Sequence, residues 1–295
     1  MDIVFLGTSC MVPTKERNHS GIFLSYRGEG ILVDCGEGIQ RQLKIAEIKP
    51  TKITKIFLTH WHGDHVLGLP GLLQTLNSSE YEKKLEIYGP IGTKKSFEYM
   101  FKAFSFKIDF EYKIKELSNN NFSLKEIVVS SLLLEHKIPC LGFSFTEKDR
   151  RRIKPAIIKK LGIPDGPLLG ELQNNKKITW KGKEILPKET TYLVKGKKIS
   201  IILDTVLTKN VYSLAKDSNL LICESSYDSS LEEKAKEYKH LTAKQAALLA
   251  SQTNVKKLVL THISQRYKTP KILLEDAKDV FEDVCVAYDF MKLKI

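Results

Sequence analysis

The sequence predicts an α/β protein with a basic arm inserted in it. Three observations carry that expectation. Short apolar runs alternate with helical patterns, which is how layered sheet-and-helix domains read. Five of those runs end on an Asp or a His. One stretch, about Lys148–Lys183, holds 11 basic and 3 acidic residues, so it carries +8 of the chain's +12.

The strand expectations, in chain order, are Ile3–Leu6, Ile31–Val33, Ile53–Leu58, Ile127–Leu134, Ile199–Leu203, Leu220–Cys223 and Val255–Leu260. Each run is too short for a helix and rich in Ile, Val and Leu. The clearest helices are Ala243–Ser251 and Pro270–Phe281, the first entered through Thr242, a good capping residue. "SNNNF" at Ser118–Phe122 reads as a turn. The basic stretch has little amphipathic pattern and is broken by Gly and Pro, so it reads as an arm over 148–190 with its own small structure, inserted in one domain spanning 1–295.

Composition bounds the function. A chain of 295 residues that is 42% hydrophobic can bury a large core. The charge of +12 favours a polyanionic partner such as a phosphate backbone. The five cysteines are odd in number and widely spaced, which argues against a disulfide framework and for a reducing compartment. The opening "MDIVFLGTSC" lacks the basic and long apolar segments of an export leader, and no apolar run approaches membrane-spanning length. A cytoplasmic protein without membrane association is expected.

The densest chemistry lies in "LTHWHGDHVLG", Leu58–Gly68, where His60, His62, Asp64 and His65 fall within six residues. A lone histidine is ordinarily a hydrogen-bonded core or surface residue; this cluster reads as a metal site. The remaining ligands are sought at the other run ends. "ILVDCG" supplies Asp34, "SLLLEH" His136, "SIILDT" Asp204 and "LVLTH" His262. Sites of α/β folds gather at the carboxyl ends of strands, so these endings are expected to meet at one sheet edge. His60, His62, Asp64, His65, His136, Asp204 and His262 make seven candidates, too many for one tetrahedral zinc and about right for two zincs sharing a carboxylate. Asp34 fits better as a carboxylate that holds a histidine tautomer than as a further ligand. His19 is left unassigned.

"THWHGDH" resembles the H-x-H-x-D-H signature of the metallo-β-lactamase superfamily, and Asp34, the histidine cluster, His136, Asp204 and His262 match its five motifs in order. The resemblance implies its αβ/βα four-layer sandwich. It narrows to ribonuclease Z, the endonuclease that removes 3′ trailers from precursor tRNA. "FLGTSCMVPT", "PTKERN", "DCGEGIQRQL", "HKIPCLGF", "HLTAKQAA" and "THISQRY" resemble that family's segments, and "LGIPDGP" resembles the Gly-Pro segment of its flexible tRNA-gripping arm. Two departures stand out. Leu203 precedes Asp204 where the family often has Gly, and Cys223 stands where many members have the histidine of a His-Glu-Ala-Thr stretch, with Glu224 retained.

What the resemblance implies is specific. His60, His62 and His136 would hold one zinc; Asp64, His65 and His262 the other; Asp204 would bridge two Zn²⁺ per chain. The charge of such a centre with one hydroxide sums to about +1, so a phosphodiester anion can enter, and metal-hydroxide attack would cut after the discriminator base and leave a 3′-hydroxyl. Asp64 would hold the nucleophile, His240 would protonate the leaving oxygen, and Glu224 would orient His240. Lys15, Arg17 and Asn18 would lie near the trailer junction with Arg266; Arg150, Arg151, Arg152, Gly166 and Pro167 would contact the tRNA body from the arm. A homodimer is the family expectation. Two other readings stay open: a phosphodiesterase of this fold acting on a small molecule or another nucleic acid, and a non-catalytic RNA-binding protein. The arm and "PTKERN" weigh against the first; the full ligand set weighs against the second.

Overall fold

A computed structural model describes residues 1–295. Its strands are β1 Asp2–Gly7, β2 Gly21–Tyr26, β3 Glu29–Val33, β4 Ile53–Phe57, β5 Leu85–Pro90, β6 Tyr112–Leu117, β7 Asn120–Leu124, β8 Ile127–Leu134, β9 Cys140–Glu147, β10 Arg150–Ile153, β11 Ile178–Trp180, β12 Lys183–Ile185, β13 Thr191–Val194, β14 Lys198–Ile202, β15 Leu220–Glu224, β16 Leu258–Thr261, β17 Val284–Val286 and β18 Lys292–Lys294. The helices are α1 Ile39–Ile45, α2 Gly63–Val66, α3 Leu69–Ser78, α4 Thr93–Lys102, α5 Pro155–Leu161, α6 Pro167–Gln173, α7 Pro187–Thr190, α8 Lys209–Ala215, α9 Glu232–Tyr238, α10 Ala243–Gln252 and α11 Lys271–Lys278.

Two seven-stranded sheets carry the fold, in the orders β18-β1-β2-β3-β4-β5-β6 and β17-β16-β15-β14-β9-β8-β7. In the first, β3 to β6 run parallel, while β1, β2 and β18 add antiparallel pairs. In the second, β14 to β17 are parallel. Parallel strands are covered on both faces, which is why they read as continuous apolar runs. The inner layer is aromatic: the Phe57 ring stacks on Tyr88 at 4.5 Å and meets Phe143 and Phe145 of the other sheet edge-on at 5.2 Å. Outside the first sheet, α1 and α3 bury Leu43, Leu69, Leu72, Leu73 and Leu76. Outside the second, α8, α10 and α11 bury Val211, Leu214, Leu249 and Leu273. Each such leucine is worth roughly 1.5–3 kcal/mol of burial, so the four layers hold by many modest terms.

The structure corrects several sequence readings. The Asp and His run ends belong to two sheets, not to one edge: Asp34 and His60 follow β3 and β4, while His136, Asp204 and His262 follow β8, β14 and β16. "SNNNF" is only half a turn, because Asn120 already opens β7. The run at Val255 becomes strand only from Leu258. The strand β2 adds to those expected, and "SYRGEG" carries its hairpin signal. Arg27 at φ 47° and Gly28 at φ 82° form the two-residue turn between Tyr26 and Glu29, the left-handed pair that matches strand twist.

The chain divides into two compact units. The first comprises Met1–Phe122, Val129–Phe145 and Ile199–Ile295; the second comprises Ser123–Val128 and Thr146–Lys198, a wider span than 148–190. The second has its own core of Ile158, Ile163, Leu172, Ile178 and Ile185. The ribbon β10–β13 is its base, with Lys154 N donating to Thr190 O at 2.8 Å. No helix is long and apolar enough to cross a membrane.

Candidate metal centre

The centre starts from the backbone. Asp34, Asp204 and His262 stand just past their strands at φ 59°, 37° and 59°. Left-handed geometry costs a non-glycine residue about 1 kcal/mol or more, and such strain collects at functional sites. Each side chain is thereby turned off its strand line.

The histidine-rich loop is held by close backbone packing. Cys35 N donates to His65 O at 2.8 Å and Gly68 N donates to Cys35 O at 2.9 Å. A Cβ on Gly68 would lie 2.0 Å from the Gly36 carbonyl oxygen, so only glycine permits this approach. Leu141 N donates to Thr59 O at 2.9 Å, which ties the same loop to β9.

The outer ring nitrogens of His60, His65, His136 and His262 are engaged. His65 Nδ1 lies 2.6 Å from Asp34 Oδ2, and His136 Nδ1 lies 3.1 Å from the Lys239 carbonyl. His60 Nδ1 meets the Thr59 hydroxyl at 3.0 Å, and His262 Nδ1 meets the Ser226 hydroxyl at 3.1 Å. Carbonyl and carboxylate oxygens only accept, so a neutral His65 or His136 carries its proton on Nδ1 and presents a bare Nε2 inward. Asp34 is itself fixed by Thr59 N and Thr59 Oγ1, both at 2.8 Å.

Two donor groups result. In one, His62 Nδ1 lies 2.9 Å from His60 Nε2 and 3.2 Å from His136 Nε2, with Asp204 Oδ2 at 3.7 and 3.8 Å from His60 and His136. In the other, His65 Nε2 and His262 Nε2 are 3.2 Å apart, Asp64 Oδ2 is 3.3 and 3.4 Å from them, and Asp204 Oδ1 is 3.4 and 3.3 Å from them. Zinc–nitrogen bonds of about 2.0–2.1 Å place tetrahedral ligands about 3.3 Å apart, so the second group has the spacing of a coordination shell. Asp204 Oδ1 is also a buried oxygen with no hydrogen-bond partner. Lone pairs facing lone pairs around an orphaned carboxylate oxygen suit a divalent cation, and the set fits one.

Electrostatics favour positive charge here. Burial opposes charge on His65 and His262, but Asp204 with the other anions nearby outweighs it and lifts both well above the usual range. Burial, reinforced by neighbouring imidazoles, holds His60 well below it. Burial alone would raise Asp64 and Asp204; the histidines around them keep both far below the normal carboxylate range.

His240 stands beside this centre. Its N–H donates to Ala235 O at 2.8 Å, and the Thr242–Gln245 capping box fixes the start of α10 just after it. Nδ1 lies 2.9 Å from Glu224 Oε2 and 3.9 Å from Asp204 Oδ2. Burial lowers its proton affinity, but Glu224 and Asp204 raise it to about 9. With the centre free of metal, these carboxylates favour the cationic imidazole at neutral pH. It lines a cavity of about 360 Å³ with His62, Asp64, His136 and Asp204.

Other sequence candidates lie as follows. Lys15 is exposed. Arg17 is turned inward, with Nη1 3.0 Å from Tyr267 O. Asn18 bridges Glu37 O and Asp289. The Arg266 guanidinium covers the Tyr227 ring at 4.7 Å. Arg150, Arg151 and Arg152 form β10; Gly166 at φ 146° and Pro167 open α6; all five belong to the second unit. His19, unassigned from sequence, lines the cavity and holds Met11 O at 3.0 Å through Nε2. Sequence reasoning missed Thr59 and Ser226, whose hydroxyls meet the outer nitrogens. The signal for Thr59 was the recurrence of "LTH" at Leu58–His60 and Leu260–His262; Ser226 had none.

Comparison with known proteins decides the family. A ribonuclease Z of Methanothermobacter thermautotrophicus is 39% identical over 297 aligned residues, which cover 100% of this chain and 97% of that one. The chain belongs to the ribonuclease Z family. Membership in ribonuclease Z makes it an endoribonuclease, a hydrolase of phosphodiester bonds. The crystal structure of human tRNase Z, short form, aligns with TM-score 0.74 and 31% identity over 100% of this chain and 99% of that one. The metallo-β-lactamase fold protein YhfI of Bacillus subtilis aligns with TM-score 0.73 and 16% identity over 99% and 98%, a likeness of fold. The family profile described as Anti-Pycsar protein Apyc1 matches residues 1–104, which include the histidine-rich loop. The fold is that of the metallo-β-lactamases, and the His and Asp clusters can hold metal.

Proposed function

We propose that this chain removes the 3′ trailer from precursor tRNA, using two zinc ions held by His60, His62 and His136 and by Asp64, His65 and His262, with Asp204 shared. The observation that carries the reading is Asp204, whose two oxygens each face one group of imidazoles. The similarity to ribonuclease Z and to tRNase Z supports the substrate.

When bound, the ions would supply a hydroxide near neutral pH and neutralise the phosphoryl oxygens. The chain's own groups do the rest. Asp64 holds and deprotonates the attacking water. Asp34, Thr59 and Ser226 keep the imidazoles aimed. His240, fixed by Glu224 through Nδ1, offers its Nε2 proton to the departing 3′-oxygen of the tRNA. The P–O3′ bond breaks, so the tRNA keeps a 3′-hydroxyl and the trailer keeps the phosphate. Lys15, Asn18 and Arg266 serve the trailer junction, with Arg17 bracing that loop against Tyr267. The second unit presents Arg150–Arg152 and the Gly166–Pro167 turn to the tRNA body. A cytoplasmic homodimer is the working assembly.

The test is a nucleotide-resolution map of products from a trailer-bearing precursor, with metal-loaded protein beside a chelated control. A single metal-dependent cut after the discriminator base is expected. Intact RNA from a protein holding two metals per chain would remove the tRNA reading.

A further inference from the structure

His240 and His262 reach the same carboxylate by different routes. His240 Nδ1 lies 2.9 Å from Glu224 Oε2. Ser226 Oγ lies 2.9 Å from that same oxygen and 3.1 Å from His262 Nδ1. The other carboxylate oxygen accepts from Thr205 N at 2.7 Å, one residue beyond Asp204. Glu224 and Ser226 are wholly buried and His262 is 1% exposed, so water does not compete for these bonds.

The proton positions follow from donor chemistry. His262 Nε2 faces Asp64 and Asp204, and with a divalent cation held there by Nε2 the ring would carry its one proton on Nδ1. That N–H donates to Ser226 Oγ. The single serine proton then goes to Glu224, a stronger acceptor than the His262 carbonyl at 3.0 Å. From the other side His240 N–H donates to the same oxygen. The chain of bonds is continuous from the metal-facing ring to the proton donor.

We propose that Ser226 is a positioning residue that couples His262 to His240 through Glu224. The proposal rests on the reading of His240 as proton donor and adds what sets its orientation. Glu224 accepts directly from His240, and Ser226, whose hydroxyl can accept on one side and donate on the other, links it to His262. Removing it leaves the His262 N–H buried without an acceptor and Glu224 short of one donor. Metal affinity and proton-donor alignment then fall together.

The test begins without RNA. Metal-free protein is titrated with zinc against a chromophoric chelator. Ser226→Ala is expected to weaken one of the two sites roughly 10- to 100-fold, the usual effect of losing such a partner, and Ser226→Thr to stay within about twofold of native. At saturating zinc, Ser226→Ala is expected to cut precursor tRNA about tenfold more slowly with unchanged half-saturation. Hydrolysis of bis(p-nitrophenyl) phosphate, whose leaving group departs without a proton, is expected to slow several-fold less than precursor cleavage. Native zinc affinity in Ser226→Ala, equal slowing of both substrates, or failure of Thr to restore zinc binding overturns the proposal. Should the alanine chain not fold, Ser226→Cys replaces it: its weaker hydrogen bonds predict several-fold weaker zinc binding, and native affinity is the overturning result. If the native protein does not cut precursor tRNA, the substrate reading fails while the zinc titration still decides the role of Ser226.

Discussion

His240 is the side chain on which the chemistry turns most sharply, because it touches the cavity without belonging to either group of imidazoles around His62 or His65. His240→Ala is expected to slow single-turnover cleavage by roughly 10²-fold or more and leave tRNA binding intact; unchanged cleavage removes it from the mechanism. A second residue carries a pH signature. Burial pushes the Asp289 carboxyl up to about 6, against the pull of Asn18 N–H, the Thr8 hydroxyl and Arg17. Its folded value lies above its unfolded one, so it favours folding at low pH. That contribution is whole below about pH 4 and is lost as pH rises through about 6. Asp289→Asn is expected to flatten the change of unfolding free energy between pH 4 and 6.5, read from urea titrations, by up to roughly 2–3 kcal/mol, with some loss of stability at every pH; parallel pH profiles for both chains would refute this. Residue chemistry was the most legible layer of the sequence. His and Asp announce metal wherever they cluster. Ser226 and Thr59 announce nothing, because a hydroxyl takes its role from what faces it in space.

Among elements, the loop from Thr59 to Gly68 works only because Gly68 and Gly36 let backbones touch, a Cβ on Gly36 falling 2.3 Å from the Asp64 carbonyl oxygen. Gly68 has an ordinary φ of −78°, so space and not conformation excludes a side chain. Gly68→Ala is expected to lower the melting temperature by roughly 5 °C and weaken zinc binding at the same time; a stable variant with native zinc affinity would show that the loop position does not depend on this contact. The second unit offers a cleaner cut than its sequence suggested. Lys154 and Thr190 already hydrogen-bond, so a short Gly-Ser linker can replace Pro155–Glu189 above the β10–β13 ribbon. That chain is expected to bind precursor more weakly with a flatter salt dependence, while small-phosphodiester hydrolysis stays native; equal loss of both activities would mark the unit as structural. Its core was illegible in sequence because Ile158, Ile163, Leu172, Ile178 and Ile185 follow no single period. Four of them come from two short helices and two three-residue strands, and Ile163 comes from the loop between the helices. Strands such as Ile53–Phe57 were legible because parallel pairing buries both faces.

Across the whole molecule, the charge of +12 reads the same way in sequence and in structure, as attraction for a phosphate backbone. The division of labour between two sheets was not readable. Strand endings can be found by eye, but nothing local says that Asp34 and His60 lie in one sheet while His136, Asp204 and His262 lie in the other. The packing of Phe57 against Phe143 and Phe145, with the Leu141 N to Thr59 O bond, brings the two sets face to face. The late position of His262 also gives the centre a schedule. The 58 residues from Asp204 to His262 take roughly 3–12 seconds to synthesise at about 5–20 residues per second. Through that interval a growing chain already displays His60, His62, His65 and His136 without the ring that completes the second group. A ribosome-bound chain is thus expected to capture metal loosely before it can cut anything, and nuclease activity arrives only as synthesis of this stretch nears its end.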